Sequence, residues 1–337
     1  MNTYDIIWIK FKNNKRSIYS LYIFLILFSI SLFAEIISND KPLLMKIDDR
    51  IYSPYFYSYV EKDFGGRLET SPDYKGYFML ELYKKDNNWV VFPLNPHSYN
   101  SINLNTISPN PSPPSDQNLL GTDDRGRDVL ARLIYGFRIS VVFAFILTGI
   151  GIVIGIFLGA LQGYFAGKTD LYIQRFIEVW GSMPELYILI IFASIFEPSI
   201  LLLILLLSLF GWISLSDYVR AEFLKGRNME YVLAAKTLGL TDWQIIMRHI
   251  LPNSLISVVT FLPFRISGAI LILTSLDFLG LGVPPTTPSL GELLSQGKDN
   301  ISAWWLSLTT FIVLVGTLLL LIFIGEGIRE SISGKSK

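Results

Sequence analysis

Residues 229–252, MEYVLAAKTLGLTDWQIIMRHILP, decide how this chain is read. They form an amphipathic stretch between two strongly apolar ones. Positions 231–238 are built from helix formers, including Leu233, Ala234, Ala235 and Lys236. Gly239 then falls where a left-handed C-terminal cap belongs, a conformation that costs other residues more. Thr241 and Gln244 have the T-x-x-Q spacing of a capping box, which predicts the start of a second helix. Pro252 is expected to end that helix, because it has no N–H to donate and crowds the preceding turn. A helix–Gly–helix elbow between membrane spans has little lipid to bury against. Its expected role is to be held by another protein.

The flanks show why spans are expected. Of 337 residues, 51% are hydrophobic, and 28 basic residues balance 28 acidic ones. The mean hydropathy is +0.45. The apolar residues come in charge-free runs of the length that crosses a bilayer, about 20 residues as a helix. Zero net charge gives no support to nucleic-acid binding. With no Cys, and only His97 and His249, disulfides, thiol chemistry and Cys/His metal clusters are excluded.

Outward from the elbow, residues 17–34 are free of charge and follow the basic residues Lys10, Lys12, Lys15 and Arg16. A signal peptide shares that order, but this run is long, lacks a clear A-x-A site and is followed by further spans. It is read as an uncleaved first span over 17–37, with 1–16 in the cytoplasm under the positive-inside rule. Residues 38–120 read as a small extracytoplasmic insert of mixed or β character. Within it, 77–82 and 89–92 suggest strands joined across Asp86-Asn87-Asn88, and the four prolines of 107–115 mark a linker. The insert fits either a solvated spacer or a binding role. In 121–138, Val129, Leu130, Leu133, Ile134 and Phe137 recur at helical spacing, predicting a helix flat on the membrane.

Five further spans are read at 139–165, 171–196, 199–216, 253–275 and 307–325. They form a core over 139–328, with a cytoplasmic loop at 217–252 and a cytoplasmic tail at 329–337. Gly151, Gly155, Gly159, Gly163 and Gly167 recur every four residues, a row that lets another backbone come close, within a bundle or across a dimer. Pro184 is expected to kink the third span. The turn GYFAGKTD at 163–170 is one residue short of a phosphate-binding loop and no strand precedes it, so no ATP site is read there. Arg265, inside the fifth span, should face the bundle or a water-filled path, as half of a carboxylate pair or with a role in transport. Residues 277–302 read as an outside loop dense in Gly and Pro, with Trp304 and Trp305 at the interface. The expected class is an all-α polytopic membrane protein with six transmembrane helices.

The elbow sequence YVLAAKTLGLTDWQIIMRHILPN resembles the cytoplasmic loop of binding-protein-dependent ABC importer permeases. LGTDDRGRDVLARLIYGFRIS at 120–140 and LDFLGLGVPPTTPSLGELLSQG at 276–297 are similar to segments of the dipeptide/oligopeptide permease C branch. The long insert is similar to the subgroup associated with microcin C and oligopeptide uptake. The resemblance implies a pore formed as a heterodimer with a homologous permease, in the bacterial inner membrane with both termini cytoplasmic. Two ATP-binding subunits would dock beneath, and a periplasmic substrate-binding protein would deliver peptide. The elbow would be the coupling helix, with Leu233, Ala234, Ala235, Gly239, Thr241, Asp242, Arg248 and Pro252 coupling to the ATPase. Leu233 stands where the family usually has Glu, so an apolar contact would replace a salt link. No cofactor would be bound by this chain; ATP would be used by the partner.

Two other classes predict different sequences. A membrane hydrolase needs intramembrane His, paired Asp or a Ser with its base, whereas His97 lies in the insert and His249 in the loop. A stand-alone secondary transporter or channel commonly shows internal repeats and several intramembrane ionisable groups. Here no repeat is evident, and Arg265 is the clear case of such a group.

Overall fold

The computed structural model describes residues 3–104, 106 and 108–333. Ile107 of the expected linker, and Lys335 and Lys337 of the expected tail, lie outside the described residues. In chain order the elements are α1 (Thr3–Asn13), α2 (Lys15–Leu32), α3 (Ala34–Ile37), β1 (Leu44–Ile47), β2 (Arg50–Tyr52), α4 (Tyr77–Tyr83), β3 (Trp89–Val91) and α5 (Val129–Phe165). There follow α6 (Gly167–Gly181), α7 (Glu185–Ile195), α8 (Ile200–Ser208), α9 (Ile213–Gly226), α10 (Glu230–Thr237), α11 (Asp242–Ile245), a π turn (Ile246–Ile250), α12 (Leu251–Phe278), α13 (Leu290–Asp299) and α14 (Trp304–Ser333). The chain divides into two compact units.

The first unit comprises Met1–Ile26, Ser140–Pro284 and Leu314–Lys337. Its centre is the glycine row on α5. A Cβ at Gly151 would lie 3.3 Å from the Gly211 carbonyl oxygen, one at Gly155 3.0 Å from Leu215 Cβ, and one at Gly159 2.5 Å from the Ser216 carbonyl oxygen. At Gly163 it would meet Phe223 and the Arg220 carbonyl. The row therefore seats α9 of the same chain, backbone against backbone. Gly167 is not part of it: its φ is +55° and nothing lies near its Cβ position.

The order of these contacts fixes the topology. As α5 runs from 151 to 163, its neighbour runs from 211 to 223, so the two are parallel. The chain must cross back between them, and α6 with α7 is the segment available. That pair is bent by 61° at a short break ending in Pro184, which precedes α7 with extended backbone (ψ 109°). Among the described residues, five helical stretches are individually long and apolar enough to cross a membrane, and the bent pair makes six when it is taken as one span, as the parallel contact requires. An even number agrees with the contact of Asn14 Nδ2 with Glu330 Oε2 at 2.9 Å, which puts the start of α2 and the end of α14 together. Where the sequence suggested a loop from residue 217, α9 continues to Gly226. Arg220 is held there by Asp170 of α6, and Val219 and Phe223 are buried. Arg220, one of the charges that suggested the boundary, is paired instead.

The second unit comprises Leu27–Ile139 and Pro285–Val313. Its small sheet has the order β2-β1-β3, both pairings antiparallel. Asp48 and Asp49, at φ 46° and 61°, make the two-residue β1–β2 turn, which needs positive φ at both positions. The expected strand at 77–82 is the helix α4. Met79 and Leu82, three apart, pack on Met45, Ile47, Phe64 and Tyr74, a one-sided burial that a strand would alternate away. Asp86-Asn87-Asn88 is a turn, with Asn87 at φ 71°, but it leads from α4 into β3.

Two other expectations are corrected here. No separate interfacial helix occupies 121–138, because α5 is uninterrupted from Val129 to Phe165. Val129, Ala131, Leu133, Tyr135 and Phe137 are buried, and Arg138 reaches both oxygens of Glu35 at 2.7 and 2.8 Å. The expected loop at 277–302 contains α13, whose N-cap Ser289 accepts from the backbone N–H groups of Gly291 and Glu292. Trp305 is buried, donating its indole N–H to the Thr122 carbonyl at 3.2 Å, whereas Trp304 is exposed.

Gly159→Val should destabilise the protein by about 2 kcal/mol or more, since the neighbour is backbone and cannot yield. Gly149→Ala, where a Cβ meets nothing, should be neutral or stabilising by about 0.5–1 kcal/mol. Thermal melting of the detergent-purified protein checks both.

Candidate functional site

The elbow follows directly below the α5–α9 contact. Ala160 and Tyr164 of α5, Leu215, Val219 and Phe223 of α9, and Val258 of α12 form one buried cluster with Val232, Ala235, Ile245, Ile246 and Ile250. Val232 and Ala235 are three apart, so α10 lays one face on this cluster. Its end is a Schellman cap: Leu240 N–H bonds to the Ala235 carbonyl at 3.2 Å and Gly239 N–H to Lys236 at 3.0 Å, with Gly239 at φ +80°. The capping box is present in full. Thr241 N–H donates to Gln244 Oε1 at 3.0 Å, and Gln244 N–H to Thr241 Oγ1 at 3.4 Å. The Tyr164 hydroxyl donates to Asp242, and the Lys236 ammonium lies 5.2 Å from the Tyr164 ring centre.

A rigid joint thus holds an uncovered apolar surface. Leu233, Leu238 and Trp243 are 50%, 79% and 67% exposed. Ala234, Gly239, Thr241, Asp242 and Arg248 are exposed beside them, whereas Ala235 is buried in the cluster. Pro252 does not end the second helix. It lies in the first turn of α12, and helical backbone continues from Asp242 to Phe278. The π turn at Ile246–Ile250 explains the tolerance: its wider i→i+5 pattern relaxes the i→i−4 ladder from which proline withholds a donor.

Higher in the same unit, Arg265 has a partner that the sequence did not reveal. Its guanidinium donates to the Gly211 carbonyl and, at 3.1 Å, to Ser214 Oγ; among the described residues, no carboxylate pairs with it. Gly211 lies in the break between α8 and α9, where a carbonyl loses its helical partner. Arg265 supplies the missing donor, and Gly151 leaves room for it at 3.2 Å. Beside it, Ser214, Leu215, Tyr218, Phe261 and Phe264 line a cavity of about 340 Å³.

The second unit holds a buried charge cluster that sequence reading passed over. Arg127 donates to Asp123 (Nε to Oδ2, 2.7 Å), to Glu292 (3.1 Å) and to the Pro285 carbonyl (2.7 Å). Arg132, fully buried, pairs with Glu292 and lies 3.6 Å from Asp123. Asp128 caps α5 by accepting from Ala131 N–H at 2.8 Å, and is held by Asn95 and Asn118. The i,i+4 spacing of Asp123 and Arg127, and the S-x-x-E of Ser289 and Glu292, are the local signals of this cluster. Among the described residues, no group of three His, Asp or Glu side chains is placed to hold a metal ion.

Parallel packed apolar helices followed by a rigid, uncovered elbow form the core of a membrane protein. The chain belongs to the family described as the binding-protein-dependent transport system inner membrane component, whose model matches residues 132–334. It is thus a pore-forming permease subunit of an ABC importer, a transport component and not an enzyme, which works with an ATPase and a binding protein. It is 50% identical over 324 residues to the inner membrane ABC transporter permease protein YejE of Escherichia coli, covering 96% of this chain and 95% of that one. The peptidoglycan transport system permease protein YejE of Agrobacterium fabrum is 46% identical, with 96% and 91% covered. The oligopeptide transport system permease protein OppC of Haemophilus influenzae is 34% identical, with 72% and 78% covered. In fold, the chain resembles a subunit of the inward-facing MetNI methionine ABC transporter, with a TM-score of 0.50 at 17% identity over 61% of this chain and 98% of that one.

Glu292→Ala should cost about 3 kcal/mol, because it strips a buried guanidinium of a partner. Lys62→Ala, which breaks an exposed pair with Glu69, should cost less than about 1 kcal/mol. Denaturation of the two variants side by side reads the contrast.

Proposed function

We propose that this chain forms half of a translocation pore for peptides or peptide-like compounds, as a heterodimer with a homologous permease. Two ATP-binding subunits drive it, and ATP is bound by them rather than by this chain. A periplasmic binding protein supplies the cargo. The chain spans the bacterial inner membrane with both termini in the cytoplasm and the insert on the opposite side. The peptide class is supported by the relatives named as peptidoglycan and oligopeptide transport permeases. Matches that extend over the insert support placement in the subgroup with a long insert, handling microcin C-like or oligopeptide cargo.

The observation that carries the coupling mechanism is the elbow's combination of rigidity with an uncovered apolar face. Leu233, Leu238 and Trp243 offer the kind of surface that docks in a groove on a partner. The cap around Gly239 and the box at Thr241/Gln244 keep α10 and α11 at a fixed angle. Closure of the ATPases then displaces the elbow as one piece, and the helices above it reorient. With Leu233 in place of the family's usual Glu, this contact is apolar.

Gly239→Pro tests the assignment. Proline cannot take φ +80° and removes the N–H that caps α10, a local cost of about 3 kcal/mol. Uptake of a labelled oligopeptide by the assembled importer should be abolished, while the permease remains in the membrane. Normal uptake together with normal ATPase co-purification would falsify the coupling role.

A further inference from the structure

The insert carries a cavity of about 540 Å³, within the size range of small-molecule sites. Its lining includes Lys75, His97, Asp40, Lys41, Asp73 and Asp116. His97 is fixed from behind. Its Nε2 lies 2.9 Å from the Gln117 carbonyl, which can only accept, so Nε2 carries the proton and Nδ1 presents a lone pair. Its own carbonyl accepts from Ser38 Oγ at 2.8 Å. The Lys75 ammonium stands 3.4 Å from that Nδ1. A neutral imidazole is a poor partner for a half-buried cation.

The contrast with the rest of the unit is informative. Arg127, Arg132 and Arg138 each meet a carboxylate directly. Lys75 feels Asp40, Asp128 and Asp73 at a distance, and no ion pair joins it to any of them among the described contacts. Burial lowers its pKa below the ordinary lysine value despite those three carboxylates. His97 is likewise pushed down, by burial first and by Lys75 second, which keeps it the neutral acceptor described. One ammonium proton suffices for the contact with Nδ1, and Lys75 itself lines the cavity. Asp40 and Asp116 provide negative charge on the same lining.

We infer that this cavity binds a zwitterionic ligand, a short peptide with free ends, whose carboxylate is held by Lys75 and whose ammonium is held by Asp40 and Asp116. The peptide class rests on the function proposed above; the pairing of an anionic with a cationic end follows from Lys75 and the Asp40 and Asp116 carboxylates sharing one lining. The polar wall is already fixed, by His97 to Gln117 and Ser38, so little ordering is needed on binding.

Tri-alanine is the probe, titrated onto the full-length permease in nanodiscs and followed by saturation-transfer NMR. Saturable binding is expected. Tri-alanine amide, lacking the carboxylate, and Lys75→Met should each weaken it by at least about tenfold. Lys75→Arg should retain it, and acetylation of the peptide's amino end or Asp40→Asn should weaken it. The amide arm uses the unaltered protein, so it stands even where a variant fails to fold. No saturable binding, equal binding of peptide and amide, or an unchanged Lys75→Met overturns the site. Uptake of tri-alanine by the assembled importer is measured in parallel. Uptake without binding to this cavity overturns the site alone, whereas binding without uptake of any peptide overturns the transport reading.

Discussion

The close approach of α5 to α9, backbone on backbone, is what the transport core depends on. In lipid there is no hydrophobic gain from bringing two apolar helices together, so contact must come from packing. Four glycines at one spacing remove the side chains that would hold the helices apart. Because the contact is parallel, the chain has to return between these helices, and the bent α6–α7 pair makes that return. The lower end of the same contact broadens into the cluster on which α10 is seated. Span order and elbow position are thus two results of one packing solution.

Much of this was legible in local sequence, for a physical reason. Gly239 and the Thr241/Gln244 box are devices whose partners lie within a few residues, and the four-residue glycine spacing is a property of one helix face. Most of the failures involve partners distant in sequence. Residues 77–82 have a pattern that admits strand or helix, and Met45 and Phe64 decide for helix by offering a single face to bury against. Arg132 and Arg138 find their partners Glu292 and Glu35 160 and 103 positions away along the chain. Pro252 was read by its local rule, and a π turn changed the ladder to which that rule applies. For the candidate site, the joint could be read from sequence, but which face of α10 is buried required the cluster beneath it.

The two units resolve the cost of buried cations differently. In the second, Arg127 and Arg132 share Asp123 and Glu292, and charge is matched by charge. In the first, Arg265 spends its donors on a carbonyl freed by the break between α8 and α9 and on the Ser214 hydroxyl. One residue that would be costly in lipid thereby satisfies another group that would be costly there. The glycine at 151 belongs to the same arrangement, since it makes the room that the guanidinium occupies.

The π turn has a mechanical consequence. On its C-terminal side the elbow passes without a loop into α12, so Trp243 and the far end of that helix belong to one beam. On the other side, α10 is joined to α9 through the short non-helical stretch at 227–229. No loop separates the exposed Trp243 from α12, whereas α10 is tied to α9 by packing in the buried cluster.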